Sequence, residues 1–165
     1  MIKFHGKQSV EIEGFRFEFV QELEPERDDT GKIKEFRPQK RYKNEAMSKP
    51  HAHGKGSFCK FSISSEWKGR CGVYALFRDK ELLYIGECRD LTVRFNSGYG
   101  NISPKNCFPG GQLTNCKINK MVLNEYLNDE KVALYFYEMD DYKAVEKKLI
   151  AILEPPHNDQ HTHKR

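Results

Sequence analysis

Two runs of apolar and aromatic residues, 72–77 and 82–87, stand either side of a short charged break, Arg78-Asp79-Lys80-Glu81. A gap that short leaves the two runs little choice but to pair as an antiparallel hairpin. The first run opens on Gly72-Val73-Tyr74 and the second carries Tyr84-Ile85-Gly86. A third run, Val132-Ala133-Leu134-Tyr135-Phe136-Tyr137-Glu138, is apolar and aromatic up to its last residue and predicts another strand. Helical patterns occupy about 90–97, opened by Asp90 as a plausible cap, then about 115–127 after Thr114 or Asn115, and about 141–153. This order predicts an α/β protein of the α+β kind, a small three-stranded antiparallel sheet flanked by helices.

The last helix carries an anomaly. Helical spacing sets Tyr142, Glu146, Leu149, Ile150 and Leu153 along one stripe, with Lys143, Lys147 and Lys148 outside it. An ionised carboxylate in an apolar stripe costs several kcal/mol to bury unless a cation, a metal or good donors meet it. The alternative is a helix-edge glutamate whose stem packs while its head reaches water.

Taken together, these residues resemble the GIY-YIG nuclease family over about residues 70–158. Gly72, Val73 and Tyr74 match the first triplet with valine for isoleucine, and Tyr84, Ile85 and Gly86 match the second outright. Arg94 falls where the family keeps its arginine, Glu146 where it keeps a metal-binding glutamate, and Asn158 where a late asparagine closes the site. The resemblance implies a nuclease in which Glu146 holds one Mg²⁺ or Mn²⁺ and Arg94 grips the scissile phosphate through its forked donors. It also implies Tyr74 as base on the attacking water, with Tyr84 positioning water or phosphate. A tyrosine with a pKa of about 10 is a poor base at neutral pH, so Tyr74 needs positive charge nearby. Asn158 is expected to tie the exit of the last helix to the site. One position departs from the family: the place of its histidine, one helical turn beyond the arginine, is Gly98, next to Tyr99. Tyr99, Lys105, Lys117 and His157 are the candidates to serve the leaving group instead.

Charge is unevenly spread. From Glu11 to Thr30, eight acidic residues face two arginines, a net of −6, whereas from Lys32 to Lys60 nine basic residues face Glu35 and Glu45, a net of +7. The second stretch interleaves Phe36, Tyr42 and Phe58 with glycines, so it offers phosphate-seeking charge and rings together. Lys40, Arg41, Lys43, Lys55 and Lys60, with Lys105 and Lys117 further on, are therefore the expected DNA contacts. A solvated arm whose charges serve solubility is the plain alternative.

The organisation expected is an N-terminal β-rich basic elaboration over 1–68, a catalytic domain over 69–158, and a tail over 159–165. In the elaboration, Phe15-Arg16-Phe17-Glu18-Phe19 alternates like a half-buried strand, Asp28 to Gly31 reads as a turn, and 33–42 as a returning strand. Residues 96–114 are too polar and turn-rich for regular structure, and loops of that length are commonly functional. Five cysteines without a Cys-x-x-Cys pair read as free thiols of a reducing compartment. His51, His53 and Cys59, with Cys107 and Cys116, are the one arrangement that hints at a structural metal. No apolar run approaches the length of a membrane span and the first residues lack a secretory signal, so a cytoplasmic protein is expected.

The functional expectation is a metal-dependent DNA endonuclease of restriction or phage-defence type. A repair or mobile-element nuclease, and a non-catalytic nucleic-acid-binding module on the same fold, are the alternatives. Cutting both strands of a duplex would favour a homodimer with two active centres.

Overall fold

The structure, a computed structural model, describes residues 1–42 and 48–159. It is an α+β protein whose six strands are β1 (Ile2–His5), β2 (Ser9–Ile12), β3 (Phe15–Glu22), β4 (Gly72–Arg78), β5 (Glu81–Cys88) and β6 (Ala133–Glu138). They form one antiparallel sheet in the order β1-β2-β3-β6-β4-β5. The helices are α1 (Leu113–Leu127), α2 (Tyr142–Leu153) and a π-type segment, Val93–Tyr99.

The three strands expected from the sequence are β4, β5 and β6, and they lie side by side. The expected sheet is nevertheless too small, because β1, β2 and β3 extend it through the β3–β6 pair. The physical reason lies in residues 1–22. Ile12 pairs with Phe15 across a two-residue turn, Glu13-Gly14, in which both residues have positive φ, the geometry that suits the twist of a tight hairpin. Phe15, Phe17 and Phe19 then share one face, and an apolar face on a lone hairpin would stay wet. It is covered by joining Val73, Ala75, Phe77, Ile85, Tyr135 and the α2 residue Leu149 in one core cluster. Edge-to-face rings stitch that cluster together, Phe4 on Phe77 at 5.2 Å and Phe19 on Tyr135 at 5.5 Å.

By contact density the chain forms two compact units, each from non-contiguous segments. The first comprises Met1–Glu22, Trp67–Leu91 and Val132–Arg165, and the second Leu23–Glu66 and Thr92–Lys131. The boundary expected near residue 69 falls close to one of four crossings, and residues 1–22 belong with the sheet.

The second unit has no sheet among its described residues. The turn at Asp28 forms, its carboxylate accepting from Thr30 N, Thr30 Oγ1 and Lys32 N, and the Thr30 hydroxyl holds that carboxyl below its ordinary range. The returning strand does not follow. Isolated bridges, Arg27 with Ile33 and Phe36 with Phe58, replace it, and Pro38–Arg41 is a short 3-10 turn. Proline supplies neither the N–H nor the freedom that a continuing ladder needs. Two asparagines do the cross-linking instead. Asn96 accepts from Ile63 N and donates to Ile63 O, while Asn119 accepts from Cys59 N and donates to Cys59 O and Tyr99 O. Each carboxamide thus stands in for a neighbouring strand.

Among the described residues, no helix is long and apolar enough to cross a membrane. Phe17 is fully buried, and Phe17→Ala is expected to lower stability by about 3 to 5 kcal/mol in urea denaturation. An unchanged midpoint would mean that the N-terminal strands are not part of the core.

Candidate active site

The hairpin expected at 72–87 sets the geometry from which the site is built. Tyr74 lies directly opposite Gly86, and Leu76 opposite Tyr84. A β-carbon on Gly86 would come within 2.3 Å of the Tyr74 hydroxyl and 2.4 Å of its Cζ. The phenol therefore lies flat across the glycine, occupying the space any side chain there would need. Gly72 is equally constrained, since a β-carbon would meet the Tyr137 carbonyl oxygen at 2.1 Å. Pleating sends Val73, Ala75 and Phe77 into the core that includes Leu149, and Tyr74, Leu76 and Tyr84 to the opposite face. On that face the Tyr74 and Tyr84 rings are neighbours, centroids 6.2 Å apart. Tyr74 is 1% exposed while Tyr84 is half-buried, so Tyr84 is the more exposed of the two.

Glu146 is half-buried on α2. Its stripe neighbours Tyr142, Val145, Ile150 and Leu153 pack with Leu149 against the Val73 face of the sheet. The apolar side of the helix carrying the acid therefore packs on the face turned away from the two phenols, against β4 and the outer strand β5, whose far edge is the margin of the sheet.

That edge is where Asn158 sits. The carboxamide accepts from Ile85 N at 2.9 Å and donates to Ile85 O at 2.8 Å. One residue earlier, His157 N donates to Leu83 O at 3.0 Å. Leu83 is the extra residue of a bulge, lying between the pairs Leu76 with Tyr84 and Phe77 with Leu82. The chain leaving α2 thus closes the open side of β5 on both flanks of Tyr84. The expectation that Asn158 ties the helix exit to the hairpin has this geometry behind it, and its amide is committed to backbone. Helix α2 ends on Glu154 in a left-handed conformation, which turns the chain back toward that edge.

Arg94 and Tyr99 belong to the second unit. They lie on the π-type segment, with the Arg94 guanidinium 5.9 Å from the Tyr99 ring centroid. Tyr99 is 1% exposed and meets Phe95 edge to face at 5.3 Å. It is a buried support for the arginine.

This second unit also holds the positive charge, with fifteen lysines and arginines against ten acids, whereas the first has thirteen against fourteen. The Pro38–Arg41 turn packs against a second 3-10 turn, Pro104–Cys107, which brings the stretch carrying exposed Lys40 and Arg41 beside that of exposed Lys105. Tyr42 stacks on Phe108 at 4.2 Å to fix the junction. The Lys60 ammonium lies 4.4 Å from the Phe36 centroid. Lys55 is exposed, Lys117 is half-buried, and Lys43 lies outside the described residues. Sequence reasoning missed Lys120, whose ammonium sits over Phe58 at 4.6 Å and donates to the Lys55 carbonyl. Its place three residues after Lys117 on one helix is the signal that could have found it.

The hinted metal corner has another use. His51 Nε2–H donates to Asn106 O at 2.6 Å and Nδ1 accepts from His53 N at 3.1 Å, so both ring nitrogens are committed. The Cys59 thiol lies against Asn119 with its pKa pushed up to about 12 by burial. Among the described residues, no group of three or more His, Cys, Asp or Glu side chains is placed to hold a metal. A half-buried carboxylate such as Glu146 suits a hydrated Mg²⁺, which needs only one or two protein ligands.

Gly86→Ala is expected to displace the Tyr74 ring, changing the near-ultraviolet circular dichroism and costing about 1 to 3 kcal/mol. Asn158→Asp, which loses the donor to Ile85 O, is expected to cost about 1 to 3 kcal/mol in thermal denaturation. No protein-family model, no characterised protein and no solved structure matches this chain.

Proposed function

We propose that the protein is a divalent-metal-dependent DNA endonuclease of restriction or phage-defence type, built on a GIY-YIG hairpin. The observation that carries this reading is the register of the hairpin: Tyr74 across Gly86, with Tyr84 beside it on the same face. Two phenols held that closely on a rigid sheet form a pre-organised polar pair, and the glycine exists to make room for one of them.

In this reading Tyr74 takes the proton of the attacking water and Tyr84, the more exposed phenol, orients that water against the phosphate. Arg94 balances the charge that grows on the phosphoryl oxygens, and Tyr99 steadies its guanidinium. Glu146 would hold Mg²⁺ or Mn²⁺, which supplies Lewis-acid stabilisation of phosphate charge. Asn158 acts at one remove, keeping the α2 exit against β5 so that hairpin and acid keep their spacing. Lys40, Arg41, Lys55, Lys60, Lys105 and Lys117 supply contacts to the DNA backbone, and a homodimer would cut both strands.

A non-catalytic nucleic-acid-binding module is the second reading, favoured by the burial of Tyr74 and by the placement of α2 on the face away from the phenols. Supercoiled plasmid separates the two. With Mg²⁺ the wild type is expected to convert plasmid to nicked and linear forms, and Glu146→Gln to lower that rate by about 100-fold or more with DNA affinity retained. Binding that weakens with salt but leaves plasmid intact in Mg²⁺ and in Mn²⁺ would establish the second reading.

A further inference from the structure

Outside the nuclease reading, and independent of it, the second unit buries a pair of thiols that no role above uses. Cys107 ends the Pro104–Cys107 turn and Cys116 lies in the first turns of α1. Both are fully buried in one apolar cluster with Phe58, Ile102 and Phe108. Their sulfurs lean on the same short turn, Cys107 Sγ 3.8 Å from Ser103 O and Cys116 Sγ 3.4 Å from Asn106 O, and the two thiols pack within the same buried cluster. The chain between them, Phe108 to Asn115, includes exposed Pro109 and Gly110, the latter with a φ of +90°.

We propose that Cys107 and Cys116 are a modification site, a dithiol that a hydroperoxide converts to a reversible intramolecular disulfide joining the Pro104–Cys107 turn to α1.

The chemistry divides between the two sulfurs. The bond donated by the Cys116 thiol, opposed by burial and aided by the Lys120 ammonium, holds the Cys107 thiol below its ordinary range. Cys116, the donor of that bond, is pushed well above it. Cys107, two residues from exposed Pro109, is thus the attacking sulfur, and Cys116, held within α1, the resolving one. The Cys107 thiolate attacks one oxygen of hydrogen peroxide, the O–O bond breaks, and hydroxide leaves to be protonated to water. Cys116 then displaces the hydroxyl of the Cys107 sulfenic acid, releasing a second water. Two thiols and one peroxide give one disulfide and two waters, so the balance closes without a further reagent. Peroxide reaches the pair when the chain opens locally at exposed Pro109 and Gly110.

Two of the other three thiols are internal controls. Cys59 is held protonated by burial, and Cys71, half-buried, is raised by burial and by the Asp140 carboxylate beside it.

The test uses the whole protein treated with hydrogen peroxide at neutral pH, quenched, denatured and mapped by mass spectrometry. The expected result is a loss of about 2 Da confined to one peptide pair joining Cys107 to Cys116, reversed by dithiothreitol. Free thiols in denaturant should fall from five to three. The oxidised form should melt about 5 °C or more above the reduced form, because the bond closes a short loop in the unfolded chain. Lys120→Met, which keeps both cysteines, should slow the reaction about threefold or more. Cys116→Ser should leave Cys107 to be trapped as sulfenic acid by a dimedone probe; if that variant does not fold, the wild-type peptide map stands alone as the test. No 107–116 link, a link through another cysteine, or stoichiometric zinc released from the purified protein when the thiols are blocked would each overturn the proposal.

Discussion

The ring of Tyr74 occupies the space where a side chain on Gly86 would be, and much of the first unit is arranged around that contact. Because the two residues are direct cross-strand partners, the contact fixes the register of β4 on β5 to the residue. A slip of one position would put the ring against Ile85 or Glu87 and turn every inward residue of β5 outward. With the register fixed, Val73, Ala75 and Phe77 all face the common core and Tyr74 and Tyr84 share the other face. The sheet is then completed on one side by β6, whose Tyr135 and Phe136 lie opposite Ala75 and Tyr74.

On its other side β5 has no strand partner among the described residues, and the fold handles that edge with side chains and a returning segment. His157 takes the carbonyl of the bulged Leu83, and Asn158 takes both backbone groups of Ile85. Asn96 and Asn119 do the same for Ile63 and Cys59 in the second unit. An asparagine can do this where aspartate cannot, since its amide offers a donor and an acceptor side by side. One chemical device, used three times, lets extended chain be buried or closed off without another strand. Sequence gives little hint of it, because asparagine is also the commonplace residue of turns and caps.

Legibility of the fold followed periodicity. Residues 72–78, 82–87 and 132–138 form strands in the structure within a residue or so, and 141–153 forms a helix. Segments whose apolar residues alternate over a short span were harder to place. Phe15 to Phe19 reads as a strand, but nothing local says that its partner is β6, more than a hundred residues away. The segment 33–42 reads as extended and is extended only in part, pairing through isolated bridges at Ile33 and Phe36 before the Pro38–Arg41 turn. For the candidate site the residue types were legible and their faces were not. The stripe on α2 correctly implies that Glu146 is half-buried, yet only packing puts that stripe on the side of the sheet away from the phenols.

By itself the sequence determined the hairpin and the alternation of its side chains, because side-chain parity is a local property, whereas the bulge at Leu83 that sets Tyr74 opposite Gly86 was decided by the fold. It also determined where positive charge collects, since charge is additive along the chain. Tertiary structure alone decided that residues 1–22 complete the sheet, that Asn158 spends its amide on Ile85, and that Cys107 and Cys116 share one buried cluster. Those outcomes depend on which distant surfaces exclude water from one another, and that choice is made by the whole chain when it packs.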